Sequence, residues 1–196
     1  MQIINCEQRS DEWYTARCGV PTASNFAKIV TTTGAPSKQR EPYLLKLAGE
    51  LVTGRAEETY CNAAMQHGID TEDDARSTYE LITGTDVEQV GFCIRDGAGA
   101  SPDGLAGEGL LEIKCPQVHT HAKYLLNNKL PSEYLQQVQG QMYVTGRPWC
   151  DFFSYYPDMK PLLIRVERDE NFISKLSSEL KAFCEELQDV VNVIKG

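Results

Sequence analysis

Residues 101–116 read SPDGLAGEGLLEIKCP. Asp103 sits between Pro102 and Gly104, which together fix a turn at the end of an apolar segment. Glu112 and Lys114 stand two apart in the next apolar segment. On a strand such residues share a face, so Glu112 and Lys114 point one way, and Leu111, Ile113 and Cys115 the other. Charges in a buried strand are costly unless paired or bound to a metal. Two readings are open: an acid–lysine pair at a sheet edge, or a site. The chemistry that uses this set is phosphodiester cleavage. Magnesium prefers oxygen ligands and keeps several waters, and two ions about 3.5–4 Å apart stabilise the attacking and leaving oxygens. An aspartate can bridge them, and a glutamate and a backbone carbonyl can complete one shell. A lysine can orient or activate the water and offset developing charge. The expected set is Asp103, Glu112, the Ile113 carbonyl and Lys114, with Glu72 as a further metal ligand.

These residues need elements to position them. A helix is predicted from about Thr71, with Ala75, Tyr79 and Ile82 inward. Glu72 lies three residues before Ala75 and so falls on the inward face, where a purely solvated acid does not belong. Its alternative is an acid favoured by the dipole near a helix N-terminus. Three strands follow: residues 86–94, a segment running into Asp103, and residues 109–115. Gly104, Gly107 and Gly109 mark a hairpin. A helix with Ser132 as N-cap carries Leu135, Val138 and Met142 on one face and Gln137 and Gln141 on another. Two more strands are expected at 150–156 and 161–167. A long helix from about Asn171 repeats apolar residues in steps of three and four. Upstream, TASNFAKIV (22–30) reads as a short helix with Thr22 or Ser24 as a possible cap, and residues 31–41 read as a polar loop carrying Lys38 and Arg40. A helix then ends at Gly54, with Leu44, Leu47, Ala48 and Leu51 inward.

The chain has 196 residues, 41% of them hydrophobic and 24% charged, which fits one globular domain. No apolar run is long enough for a membrane span, and the first residues lack the pattern of a secretory signal. Seven cysteines at irregular spacing, with no CxxC, read as free thiols of a reducing cytoplasm. A zinc site from His119, His121 and a cysteine is the weaker reading. The net charge of −9 argues against a protein that coats nucleic acid through its overall field. It leaves room for a DNA enzyme whose positive charge is local. No GxxxxGK[ST] pattern is present, so no nucleotide-driven motor is expected.

SPDG followed by LEIKCP resembles the PD-(D/E)xK nucleases, and within them the lambda-phage exonuclease, or YqaJ-like viral recombinase, family. EWYTARCGVPTAS (12–24), EDDAR (72–76), QQVQGQMYVTG (136–146) and YYPDMK…IRVERDE (155–170) match the same family in the same order. The resemblance implies an α/β fold with a restriction-endonuclease-like core, a central mixed β-sheet flanked by helices. It implies a single exonuclease domain over 1–196: a helical DNA-end-binding region over 1–70, a nuclease core over 71–170 and a C-terminal helix over 171–196. The implied activity is a processive 5′→3′ exonuclease on double-stranded DNA ends. It depends on two Mg2+ ions (Mn2+ a possible substitute) and needs no ATP. It releases 5′-mononucleotides and leaves 3′ single strands for phage-type recombination by strand annealing. Asp103, Glu112, Lys114 and Gln137 are placed at the catalytic centre, with Glu72 as a metal-site acid. Arg17, with Thr22 and Ser24 nearby, is placed on the terminal 5′-phosphate, which suits its planar fork. Lys38, Arg40 and Ser101 are candidate DNA contacts, although the loop at 31–41 is short and only modestly basic. The implied partners are a single-strand annealing protein and two further copies in a ring-shaped homotrimer, in the cytoplasm of a bacterial host and away from membranes. Two alternatives stay open: a structure- or sequence-specific endonuclease on the same core, and an inactive DNA-binding module.

Overall fold

The computed structural model describes residues 1–56 and 63–196; the reading of Cys61 as a free thiol lies outside these. Two sheets form. In the first, β1 (Gln2–Ile4), β3 (Phe92–Arg95) and β4 (Ala98–Ala100) lie in the order β1-β3-β4, all antiparallel. The second is mixed, with β2 (Val87–Glu88), β5 (Gly104–Ala106), β6 (Gly109–Lys114), β7 (Trp149–Ser154) and β8 (Leu162–Glu167) in the order β2-β5-β6-β7-β8. Only the β6–β7 pair is parallel. The chain between these two strands includes α4 (Val118–Asn127) and α5 (Leu135–Thr145), as a parallel crossover requires.

The strand expected at 86–94 is two strands in different sheets. The break falls beside Gly91, where a Cβ would lie 2.4 Å from the Cys6 carbonyl oxygen. The chain passes too close to the N-terminal segment there for any side chain. The strand expected to run into Asp103 ends at Ala100, in the first sheet. Asp103 therefore stands where the chain crosses from one sheet to the other. β5 and β6 form the expected hairpin, with Ala106 opposite Gly109 and Gly107 at a φ of +55° in the two-residue turn.

The alternation expected along β6 holds. Leu111, Ile113 and Cys115 pack with Ala75 and Tyr79 of α3 (Ala63–Thr83) and with Phe153. Leu110 faces Val138 and Met142 of α5. α3 begins well before the expected Thr71, and its expected inward residue Ile82 is 51% exposed. α2 (Arg40–Thr53) buries Leu44, Leu47 and Ala48 but leaves Leu51 at its surface, and Gly54 closes it at φ +66°. α6 (Glu170–Lys195) is capped by Asp169, whose Oδ1 accepts the Phe172 N–H at 3.0 Å. It packs its stripe on α2, with the Tyr43 and Phe183 rings stacked at 5.7 Å. Ser132 does not cap α5; residues 132–134 form a 3₁₀ turn and the helix starts at Leu135.

Two helices are additional to those expected. α1 (Asp11–Arg17), capped by Ser10, has no fully buried residue. α4 is amphipathic and buries only His121 and Tyr124. The 3₁₀ turn Ala23–Lys28 joins the edge of the first sheet through Thr22, bridged to Gly99, and through the Gly99 N–H, which donates to the Pro21 carbonyl at 2.9 Å.

α5 lies close against that 3₁₀ turn at Gly140, where a Cβ would sit 2.3 Å from the fully buried Phe26 ring. This approach brings residues 22–24 beside Gln137 and Gln141. Gly140→Val is expected to lower stability by about 1–3 kcal/mol through overpacking. Urea unfolding reads this, and an unchanged midpoint would show that α5 and the turn are not held at this spacing.

Candidate active site

The centre of the site is Glu112, 1% exposed on β6. Gln137 Nε2 donates to its Oε1 at 2.5 Å and Gln141 Nε2 donates to its Oε2 at 2.6 Å. The Lys114 ammonium pairs with the same carboxylate from the same strand face. Lys114 also stands 5.2 Å from the Tyr134 ring centroid. Burial pulls its pKa down, but the Glu112 and Asp103 charges outweigh this and hold it above the ordinary lysine value.

Asp103 occupies the position where β5 has left the edge of β6. Gly104 is still paired with Leu111. One residue earlier the backbone has turned away, and the Asp103 Oδ2 accepts the Ile113 N–H at 2.6 Å. A carboxylate thus replaces a strand neighbour. Burial pushes the Asp103 pKa well above the ordinary carboxylate value, Glu112 and Glu72 push it the same way, and Lys114 opposes them. Glu72 reaches this region from α3. Its Oε1 accepts from Arg76 at 3.0 Å, and its Oε2 pairs with Arg9, whose backbone φ is +71°.

Beside this centre is a cavity of about 180 Å³. Its walls carry Arg17, Thr22, Ser24 and Ser101 together with Gln137 and Gln141. The Arg17 guanidinium lies 4.0 Å from the Trp13 ring centroid and donates to Ser101 Oγ at 3.3 Å and Thr22 Oγ1 at 3.5 Å. Trp13 Nε1 donates to the same Ser101 Oγ at 2.8 Å. Among the described residues no carboxylate pairs with Arg17. Burial draws its pKa down to about 10, which leaves it a cation at neutral pH.

The structure thus brings Asp103, Glu112, Ile113, Lys114, Gln137 and Glu72 into one region, with Arg17, Thr22, Ser24 and Ser101 adjoining. It does not bring Lys38 or Arg40 there. Lys38 lies on its loop, and the Arg40 guanidinium pairs with Glu186 on α6. Arg9, Trp13 and Gln141 are members that residue types alone did not select. The i,i+4 spacing of Gln137 and Gln141 was the available signal for the last. Gln8 ties the N-terminal segment to the turn before Asp103 by donating to the Val90 and Pro102 carbonyls at 2.8 and 2.9 Å.

A hard cation fits this set in part. Among the described residues no three His, Cys, Asp or Glu side chains form a ready ligand group. Asp103, Glu112 and the Ile113 carbonyl could hold an ion that keeps several of its waters, as magnesium does. Burial first, and the Glu112 and Glu72 charges after it, raise the Asp103 pKa, and a bound cation would offset them.

A mixed sheet with an acid at the sheet crossover and an acid–lysine pair on the next strand defines a restriction-endonuclease-like core. The sequence profile of the YqaJ-like viral recombinase domain matches residues 12–148. The chain belongs to this family. Two solved structures of LHK-Exo, an alkaline exonuclease from Laribacter hongkongensis, superpose with a TM-score of 0.87 at 39–40% identity. Each comparison covers 95% of this chain and 96% of the other, and one of the two structures is a complex with dAMP. A phage related exonuclease from Haemophilus somnus 129PT, 14% identical over 89% of this chain and 96% of its own, shares the fold with a TM-score of 0.71. A search of curated proteins gives no match.

Gln141→Leu removes the donor to a buried carboxylate oxygen and is expected to cost about 1–3 kcal/mol. Chemical denaturation measures it; an unchanged stability would mean that Glu112 does not depend on this contact.

Proposed function

We propose that the protein is a Mg2+-dependent, ATP-independent 5′→3′ exonuclease acting on double-stranded DNA ends. It releases 5′-mononucleotides and leaves 3′ single strands for recombination by annealing. The observation that carries this is one cavity that has Arg17 on one wall and the two Glu112-bound glutamines on another. A buried cation without an acid partner suits a phosphate. An anion held there stands next to the cleavage centre, so cutting is tied to a terminus. Membership of the YqaJ-like family, together with 40% identity to an alkaline exonuclease, supports the nuclease reading.

In this reading Asp103, Glu112 and the Ile113 carbonyl hold the metal, with Glu72 as a further acid. The ions supply Lewis-acid stabilisation of the attacking and leaving oxygens. Gln137 and Gln141 fix the Glu112 carboxylate, and Lys114 places a positive charge beside the scissile phosphate. Arg17, with Thr22, Ser24 and Ser101, seats the 5′-phosphate. Lys38 and Arg40 would serve the duplex further out. The same reading includes a homotrimeric ring around the DNA, a single-strand annealing protein as partner, and a cytoplasmic setting in a bacterial host. No helix among the described residues is long and apolar enough to cross a membrane.

The test uses linear duplexes labelled at either end, with or without 5′-phosphate, in magnesium or chelator, beside a closed circle. Mononucleotides from the 5′ end only, with the circle intact, are expected; cleavage of the circle would favour an endonuclease. Asp103→Ala is expected to abolish cleavage and to lose the rise in thermal midpoint that magnesium gives the wild type. Full turnover in that variant removes Asp103 from the centre. Arg17→Ala is expected to lose most of the preference for phosphorylated over hydroxyl ends; an unaltered preference refutes its role. Light scattering checks the assembly, where a stable monomer at micromolar concentration excludes the ring.

A further inference from the structure

A second cavity opens from Arg17 away from Gln137 and Gln141. It measures about 500 Å³ against about 180 Å³ for the first. The two share Arg9, Trp13, Arg17, Thr22 and Ser24, so the Arg17 guanidinium stands at the neck between them. Past the neck the walls carry Tyr14, Asn25, Lys28, Tyr43 and Lys46, together with Glu50, whose carboxylate accepts the Gly19 N–H at 2.9 Å and lies 3.9 Å from the Lys46 ammonium.

The chain has 28 acidic and 19 basic residues, and Arg9, Arg40, Arg76, Lys114, Arg165 and Arg168 all rest on carboxylates. Lys28 does not. Its ammonium lies 5.2 Å from the Tyr43 ring centroid, and among the described residues no acid is within ion-pairing distance. Arg17 and Lys28, two cations with no ion-pair partner among the described residues, therefore line one cavity in an acidic protein. That combination marks a site for an anion. Tyr14, 46% exposed, offers an aromatic face on which a base can stack.

We propose that this second cavity is the product site of the enzyme, and that a nucleoside 5′-monophosphate leaves through it with its phosphate passing from Arg17 to Lys28. The proposal rests on the exonuclease reading above. After each cut the released nucleotide still has its phosphate on Arg17, and the newly formed 5′ end needs the same guanidinium. The duplex fills the catalytic side, so the way out is past the neck. A phosphate leaving Arg17 gives up charge-assisted hydrogen bonds, and a second cation on the wall replaces them before the nucleotide reaches water.

The experiment compares the wild type with Lys28→Gln and Lys28→Arg on 5′-phosphorylated linear duplex in magnesium. Three quantities are read: the first cut under single-turnover conditions, steady-state mononucleotide release, and calorimetric binding of dAMP. For Lys28→Gln the first cut is expected to stay close to the wild-type rate. Steady-state release and dAMP affinity should each fall about tenfold, the order of one hydrogen bond to a charged group. Lys28→Arg should restore both. An equal loss in the first cut would mean that the cavity holds DNA rather than product, and unchanged dAMP affinity would remove the nucleotide from it; either overturns the proposal. A wild type that releases no mononucleotide defeats the exonuclease reading itself, whereas these Lys28 results with an active wild type bear on the cavity alone.

Discussion

Glu112 is a charged group at 1% exposure in the central sheet, and a carboxylate in that position is tolerable only when its oxygens are satisfied. Three donors do this: the amides of Gln137 and Gln141, one turn apart on α5, and the ammonium of Lys114. The requirement fixes the face that α5 turns to the sheet. That face in turn fixes the other side of the helix, where Gly140 sits against Phe26 and draws in the turn carrying Thr22 and Ser24. Burial of one carboxylate thus organises a helix and, through it, the wall of the neighbouring cavity.

The second organising constraint is the crossing between the two sheets. β4 belongs to the first sheet and β5 to the second, so residues 101–103 must bridge them. Ser101 faces Arg17 and Trp13, while Asp103 closes on the Ile113 N–H. Three consecutive residues therefore join a buried arginine to an acid-rich centre. The proximity of the two follows from sheet topology rather than from any flexible approach.

Much of the site was legible before any coordinates. The strand alternation that set Glu112 and Lys114 on one face survived because a pleated strand has a fixed period of two, whatever surrounds it. Gln137 and Gln141 were legible as one helix face for the same kind of reason. Helices α2 and α6 showed themselves by their apolar stripes. By contrast, α1 is a short helix with no fully buried residue, and α4, though amphipathic, buries only His121 and Tyr124. The segment 86–94 read as one strand because its division into two sheets depends on what crosses Gly91, the Cys6 carbonyl, which is far away in sequence.

The sequence by itself determined which neighbours along an element share a face, and so set Glu112 beside Lys114 and Gln137 beside Gln141 as candidates, because these are local properties of strand and helix geometry. Tertiary structure decided the rest. It put Arg9 on Glu72, set Trp13 and Ser101 around Arg17, committed Arg40 to Glu186, and set the Lys28 ammonium over the Tyr43 ring. Each of these depends on which distant segments pack together. A charged side chain's partner is set by that packing, and no local period encodes it.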